Sequence, residues 1–147
     1  MKGLKGFTLI ELLVVITILG ILAAVVMVAI NPGERINEAN DSGKKNDVGQ
    51  VATALESYFT AQKGSYTGAT QGDGGTLVSQ GYVKRWPTTA TLTVAADGSA
   101  AATYATLAAA SASCPVGQSG IKYWCYTSVD GQSGILCSAA TPSTACN

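Results

Sequence analysis

Between Phe7 and Ile30 the chain runs for 24 residues with one charged side chain, Glu11, and with Thr8 and Thr17 as its mild polar interruptions. As a helix this run is about 36 Å long, enough to cross a bilayer core of about 30 Å. A helix of this length that is apolar on every side needs a much larger protein around it than 147 residues provide. A membrane span is therefore expected. Lys2 and Lys5 precede it, so the positive-inside bias keeps the N-terminus cytoplasmic and sends the rest of the chain outward. A secretory signal has a shorter apolar stretch followed by a small-residue cleavage site. Ala23 and Ala24 offer such a pair, but the run continues through Val25–Ile30.

The residues around the start of the span carry a specific likeness. Met-Lys-Gly-Leu-Lys-Gly followed by Phe7-Thr8-Leu9-Ile10-Glu11-Leu12 resembles the class III leader and mature start of type IV pilins and their pseudopilin relatives. A short basic leader, a glycine, a phenylalanine, a glutamate four residues later and an unbroken span coincide. The likeness is clear over residues 1–30 and fades to general pattern beyond residue 66. It implies cleavage between Gly6 and Phe7 by a prepilin peptidase, and N-methylation of Phe7 by the same enzyme. It further implies helical assembly with other copies of the chain. An inner-membrane assembly platform and its cytoplasmic ATPase would drive that step, with the membrane holding the subunit beforehand.

Glu11 is the residue that a plain anchor would not need. A lone carboxylate in a membrane helix costs several kcal/mol unless it is paired or reaches the interface. Near the start of the span it can reach headgroups. By the resemblance, once the leader is removed it pairs with the Phe7 amine of a neighbouring subunit in a water-poor filament core. Such a buried pair sets axial register, the best-attested use of buried polar groups.

Asn31-Pro32-Gly33 is a helix breaker at the outer edge of the span. Residues 34–43 are polar with mixed helix propensity. The helical period then returns, because Val48, Val51, Ala52, Leu55, Tyr58 and Phe59 form one apolar stripe, ending at Lys63–Gly64. The stripe is expected to serve as domain core. Residues 65–90 read as a loop region in which Leu77, Val78, Tyr82, Val83 and Trp86 lie on that core.

The last third is strand-like. "TLTVA" and "AATYATL" flank Asp97-Gly98 and suggest a hairpin around a two-residue turn, while "IKYWCYTSV" and "GILCSAA" flank Asp130-Gly131. The expected fold is α+β: one long N-terminal helix whose second half packs on a four-stranded antiparallel sheet, as in type IV pilins. The expected organisation is a leader at 1–6, a transmembrane or filament-core helix at 7–30, the outer half of the long helix at 31–64 and a globular domain at 65–147.

Cys114, Cys125, Cys137 and Cys146 all lie in the sheet region, and their spacings do not match paired Cys-x-x-Cys zinc ligation. Outside the cytoplasm disulfides are the default, and three pairings are open. Cys125 and Cys137 are symmetric about Gly131, which favours a nested pattern with Cys114 bonded to Cys146. Cys114–Cys125 with Cys137–Cys146 would resemble the C-terminal disulfide loop of many pilins.

No site for chemistry emerges. There is no His, no phosphate-binding glycine loop, no nucleophile elbow and no acid pair placed for glycoside chemistry. The two Asp-Gly pairs are accounted for by turn chemistry, so no metal is assigned, and no cofactor is expected. Nine basic residues balance nine acidic ones, and Lys44-Lys45 and Lys84-Arg85 are too few for a nucleic-acid footprint. The resemblance points to a non-enzymatic major pilin, first inserted in the inner membrane and then part of an extracellular pilus. A pseudopilin of a type II secretion system or a minor pilin is the alternative within the family. In another class stands a single-span, surface-anchored binding module. The family's major pseudopilin type tends to carry a calcium site and few cysteines, so four cysteines favour the pilin reading.

Overall fold

A computed structural model describes residues 6–144 and Cys146, and the expected leader residues 1–5, including Lys2 and Lys5, lie outside that range. The chain divides into two compact units, one up to Ile36 and one from Asn37 onward.

In the first unit, helix α1 spans Leu9–Ile30, with Thr8 as an extended N-cap (φ −87°, ψ 148°) and no buried residue. Asn31 ends it in the left-handed region (φ 44°, ψ 74°), and α2 begins at once, spanning Pro32–Ala61. Each part of this junction has a cause. Proline disfavours the α-region for the residue before it. Asparagine is among the few side chains that tolerate the left-handed region. Proline itself suits the first helical position, where its missing N–H has no partner to lose. Asn31 O then accepts from Glu34 N at 3.1 Å and Arg35 N at 3.3 Å, starting the new helix. The expected breaker is thus confined to one residue, and neither Gly33 nor Gly43 interrupts α2.

In the second unit, α2 lays the anticipated stripe into the core. Val48, Val51, Leu55 and Tyr58 are buried and cluster with Tyr66, Leu77, Trp86, Ala101 and Ala105. Phe59, at the stripe's margin, is half-buried and stacks on Tyr66 with centroids 4.6 Å apart. Burying each such aliphatic side chain contributes roughly 1.5–3 kcal/mol. Past Ala61, Lys63 and Gly64 both take positive φ, and Gly64 N donates to Phe59 O at 2.9 Å, which closes the helix end. A single helical turn, α3 (Thr76–Ser79), buries Leu77 within the loop region.

Four strands follow: β1 (Thr91–Val94), β2 (Ala101–Thr106), β3 (Ile121–Thr127) and β4 (Gln132–Ser138). They form an antiparallel meander in sequence order. The domain is therefore α+β, consistent with the type IV pilin fold. Ala101, Ala105, Trp124 and Tyr126 face the cluster built on α2, while Ala102, Tyr104, Tyr123, Cys125 and Leu136 form a second cluster on the outer face.

Both hairpin reversals are longer than a two-residue turn. The first closes through Ala95 N–Ala100 O and Gly98 N–Ala95 O, each 2.9 Å, with Gly98 at φ +70°. The second pairs Thr127 with Gln132, and Gly131 ends its reversal at φ +67°.

That register corrects the nested disulfide expectation. Cys125 lies opposite Gly134, and Cys137 lies opposite Lys122. The hairpin turns about the midpoint of residues 128–131, short of Gly131. Gly134 and Cys137 are an odd number of residues apart, so Cys125 and Cys137 point to opposite faces of the sheet. The bonds formed are Cys114–Cys137 and Cys125–Cys146, with Cα separations of 5.6 and 6.2 Å. The loop-like pairing Cys114–Cys125 with Cys137–Cys146 is not formed either.

Candidate functional site

The site that sequence singled out is the start of α1. Gly6, Phe7 and Thr8 are non-helical and exposed, so the Gly6–Phe7 peptide lies ahead of the first helical turn. Glu11, in that turn, folds back on the N-cap. Its Oε2 accepts from Thr8 N at 2.9 Å and from Thr8 Oγ1 at 2.7 Å, while Glu11 N donates to Thr8 Oγ1 at 3.3 Å. This is a capping box, in which side chain and backbone satisfy each other's orphan donors. A carboxylate at a helix N-terminus also meets the positive end of the helix dipole.

Sequence reasoning treated Glu11 as a charge in search of a partner and missed Thr8. The signal was present, since Thr8-Leu9-Ile10-Glu11 has the spacing of a capping box and precedes an apolar run.

Beyond Glu11, α1 offers an apolar surface on every side. Leu9 is 82% exposed and Val28 83%, and the helix is long and apolar enough to cross a membrane. The polar groups along it are closed internally, for Thr17 Oγ1 donates to Val14 O at 2.8 Å. A surface like this is stable only against lipid or against other apolar helices.

The cysteines belong to the second unit. Cys114, in the connection from β2 to β3, bonds to Cys137 on the edge strand. Cys146 is carried over the outer face and bonds to Cys125 in the centre of the sheet. Thr127 Oγ1 donates to Thr144 O at 3.0 Å and seats the same tail.

Several polar residues of the second unit are fasteners. Asp41 is 3% exposed. Burial pushes its carboxyl up, but the Ala109 N–H, the Lys44 ammonium and the Ala108 N–H outweigh that and hold it below its usual value. Lys44 Nζ reaches Asp41 Oδ1 at 3.0 Å and Thr106 O at 2.8 Å. Lys45 Nζ lies 4.9 Å from the Trp124 ring centroid, a cation–π contact. Glu56 Oε1 accepts both the Tyr66 and Tyr126 hydroxyls, at 2.9 and 2.7 Å. Asp97, weighed as a calcium ligand, accepts from Ser99 N at 3.0 Å and Ser99 Oγ at 2.7 Å. No group of three His, Cys, Asp or Glu among the described residues is placed to hold a metal ion.

With this geometry in place, comparison with known proteins adds one finding. Residues 1–27 match the family profile described as the prokaryotic N-terminal methylation motif, the class III leader of type IV pilins and pseudopilins. No curated protein and no solved structure matches the chain.

Proposed function

We propose that the chain is the major structural subunit of an extracellular type IV pilus, working through assembly and performing no chemistry of its own. The supporting observation is the methylation motif at residues 1–27, continuous with a helix that exposes apolar side chains all round. In this reading residues 1–6 are the leader and residues 7–30 become the filament core. Residues 31–64 carry the outer helix, and residues 65–147 complete the domain. A prepilin peptidase cuts between Gly6 and Phe7 and methylates the new Phe7 amine.

Glu11 then has two successive partners. Both Thr8 bonds end on Oε2, so Oε1 is the oxygen offered to the Phe7 amine of a neighbouring subunit. The inner-membrane precursor holds its domain outside, and the assembly platform with its ATPase supplies the work of extraction.

The test is intact-mass and N-terminal analysis of fibres sheared from cells. A chain starting at methylated Phe7, two disulfides lighter in hydrogen and dominant in the fibre, supports a major pilin. The same processed chain found only at trace level in membranes makes it a pseudopilin or minor pilin. A native chain still beginning at Met1 removes both readings and leaves a surface-anchored binding module.

A further inference from the structure

The two disulfides cross in sequence: Cys114 pairs past Cys125 to Cys137, and Cys125 pairs past Cys137 to Cys146. We infer that this domain is an obligate client of a thiol–disulfide isomerase, which converts consecutively paired cysteines into the crossed pairs of the folded sheet. The inference rests on the outward placement of the domain proposed above, since only there do the cysteines meet an oxidant.

The unfolded chain favours different bonds from the folded one. Cys114 and Cys125 are 11 residues apart and Cys137 and Cys146 are 9 apart. The crossed pairs span 23 and 21. Loop-closure entropy scaling with the three-halves power of length favours the consecutive set about tenfold over the crossed set. Order of arrival acts in the same direction. A chain emerging from its N-terminal side presents Cys114 and Cys125 to an oxidant before Cys137 and Cys146 have appeared.

The folded sheet cannot hold those first bonds. Cys125 sits on the outer face in the central register, opposite Tyr104 on one side and Gly134 on the other. Cys137 projects from the opposite face, where Cys114 meets it. A disulfide requires facing Cβ vectors and Cα atoms within about 7 Å. A Cys114 sulfur placed for Cys137 is therefore on the wrong side of the sheet for Cys125. A consecutively bonded chain has to be reopened before β3 can take its place between β2 and β4.

The exchange is redox-neutral. The isomerase thiolate attacks Cys125 Sγ of the Cys114–Cys125 bond, forming a mixed disulfide and releasing the Cys114 thiolate. That thiolate attacks Cys137 Sγ of the Cys137–Cys146 bond, which forms Cys114–Cys137 and releases the Cys146 thiolate. The Cys146 thiolate attacks Cys125 Sγ in the mixed disulfide, forming Cys125–Cys146 and returning the isomerase thiolate. Every bond broken is replaced, and no electron leaves the system.

The full chain is expressed in a bacterial host with and without its extracytoplasmic thiol–disulfide isomerase, and its disulfides are mapped by non-reducing peptide mass spectrometry. Expected are the crossed pairs in the competent host and a majority of Cys114–Cys125 and Cys137–Cys146 peptides in the deficient one. The double variant Cys114→Ser, Cys137→Ser has one intramolecular bond available and should form Cys125–Cys146 equally in both hosts. Crossed pairs at equal yield in both hosts would overturn the isomerase step alone. Isomerase dependence of the double variant would overturn the mispairing account. Free thiols in both hosts would overturn the outward placement and the inference with it.

Discussion

Asp41 on α2 holds the backbone N–H groups of Ala108 and Ala109, both bonds ending on Oδ2, at 2.8 and 2.7 Å. One helical carboxylate thereby fixes the start of the connection that carries Cys114 to its partner.

Asp41→Asn should destabilise the domain by about 1–3 kcal/mol, because the buried Ala109 N–H and the part-buried Ala108 N–H lose a charged acceptor. The pH dependence has a definite sign. The folded carboxyl lies below its usual value, so its contribution is present above the unfolded pKa of about 3.9 and is lost as pH falls through the folded value. Denaturant midpoints of the full chain in detergent, taken from pH 5 downward, should fall for the parent and change less for the variant.

Glu11→Ala should abolish filaments while leaving membrane insertion intact. Thr8→Ala removes one half of the capping box at a cost of about 1 kcal/mol, and faster amide exchange in the first turn of α1 would report it. Filaments at normal yield from the Glu11 variant would sink the role given to its carboxylate.

Gly98→Ala should be far more damaging than Gly72→Ala. Both glycines have positive φ, but nothing lies within 4 Å of a Cβ at Gly72. At Gly98 that Cβ would run into the Thr67 hydroxyl and sit 2.7 Å from Ser65 Oγ. The Gly72 variant bears only the left-handed strain, about 1–2 kcal/mol. The Gly98 variant bears a clash as well, and thermal midpoints of the two should separate clearly.

The domain should also weaken at high pH. Burial, then hydrogen bonding to Glu56, raises the Tyr126 phenol well above its usual value, and burial raises Tyr66 too. Raised values mean that stability is complete below the unfolded pKa of about 10 and is lost above it. Tyr126→Phe should flatten part of that alkaline decline when unfolding is followed by circular dichroism.

The apolar run was legible from its unbroken length, the stripe from Val48 to Tyr58 from its helical period, and the four strands from short apolar and aromatic runs set around Asp-Gly pairs. The leader was legible because its residue types are unusual together. What escaped depended on single register choices or on partners remote in sequence. Asp41 gives no local sign that it will meet Ala109, 68 residues away. The cysteine pairing turned on where the second hairpin reverses: Cys125 pairs with Gly134, three residues short of the Cys137 that symmetry about Gly131 gives it, and an odd shift exchanges the faces of the sheet. The capping box was local and readable, but the membrane question drew Glu11 toward distant partners.

Because the covalent loops Cys114–Cys137 and Cys125–Cys146 overlap, a single backbone cut anywhere between Cys114 and Cys146 releases no fragment. A cut before Cys125 is bridged by the first bond, one after Cys137 by the second, and one between them by both. With consecutive pairing, a nick between Cys125 and Cys137 would have detached the whole C-terminal segment. The crossed arrangement makes this part of the domain tolerant of a single proteolytic nick.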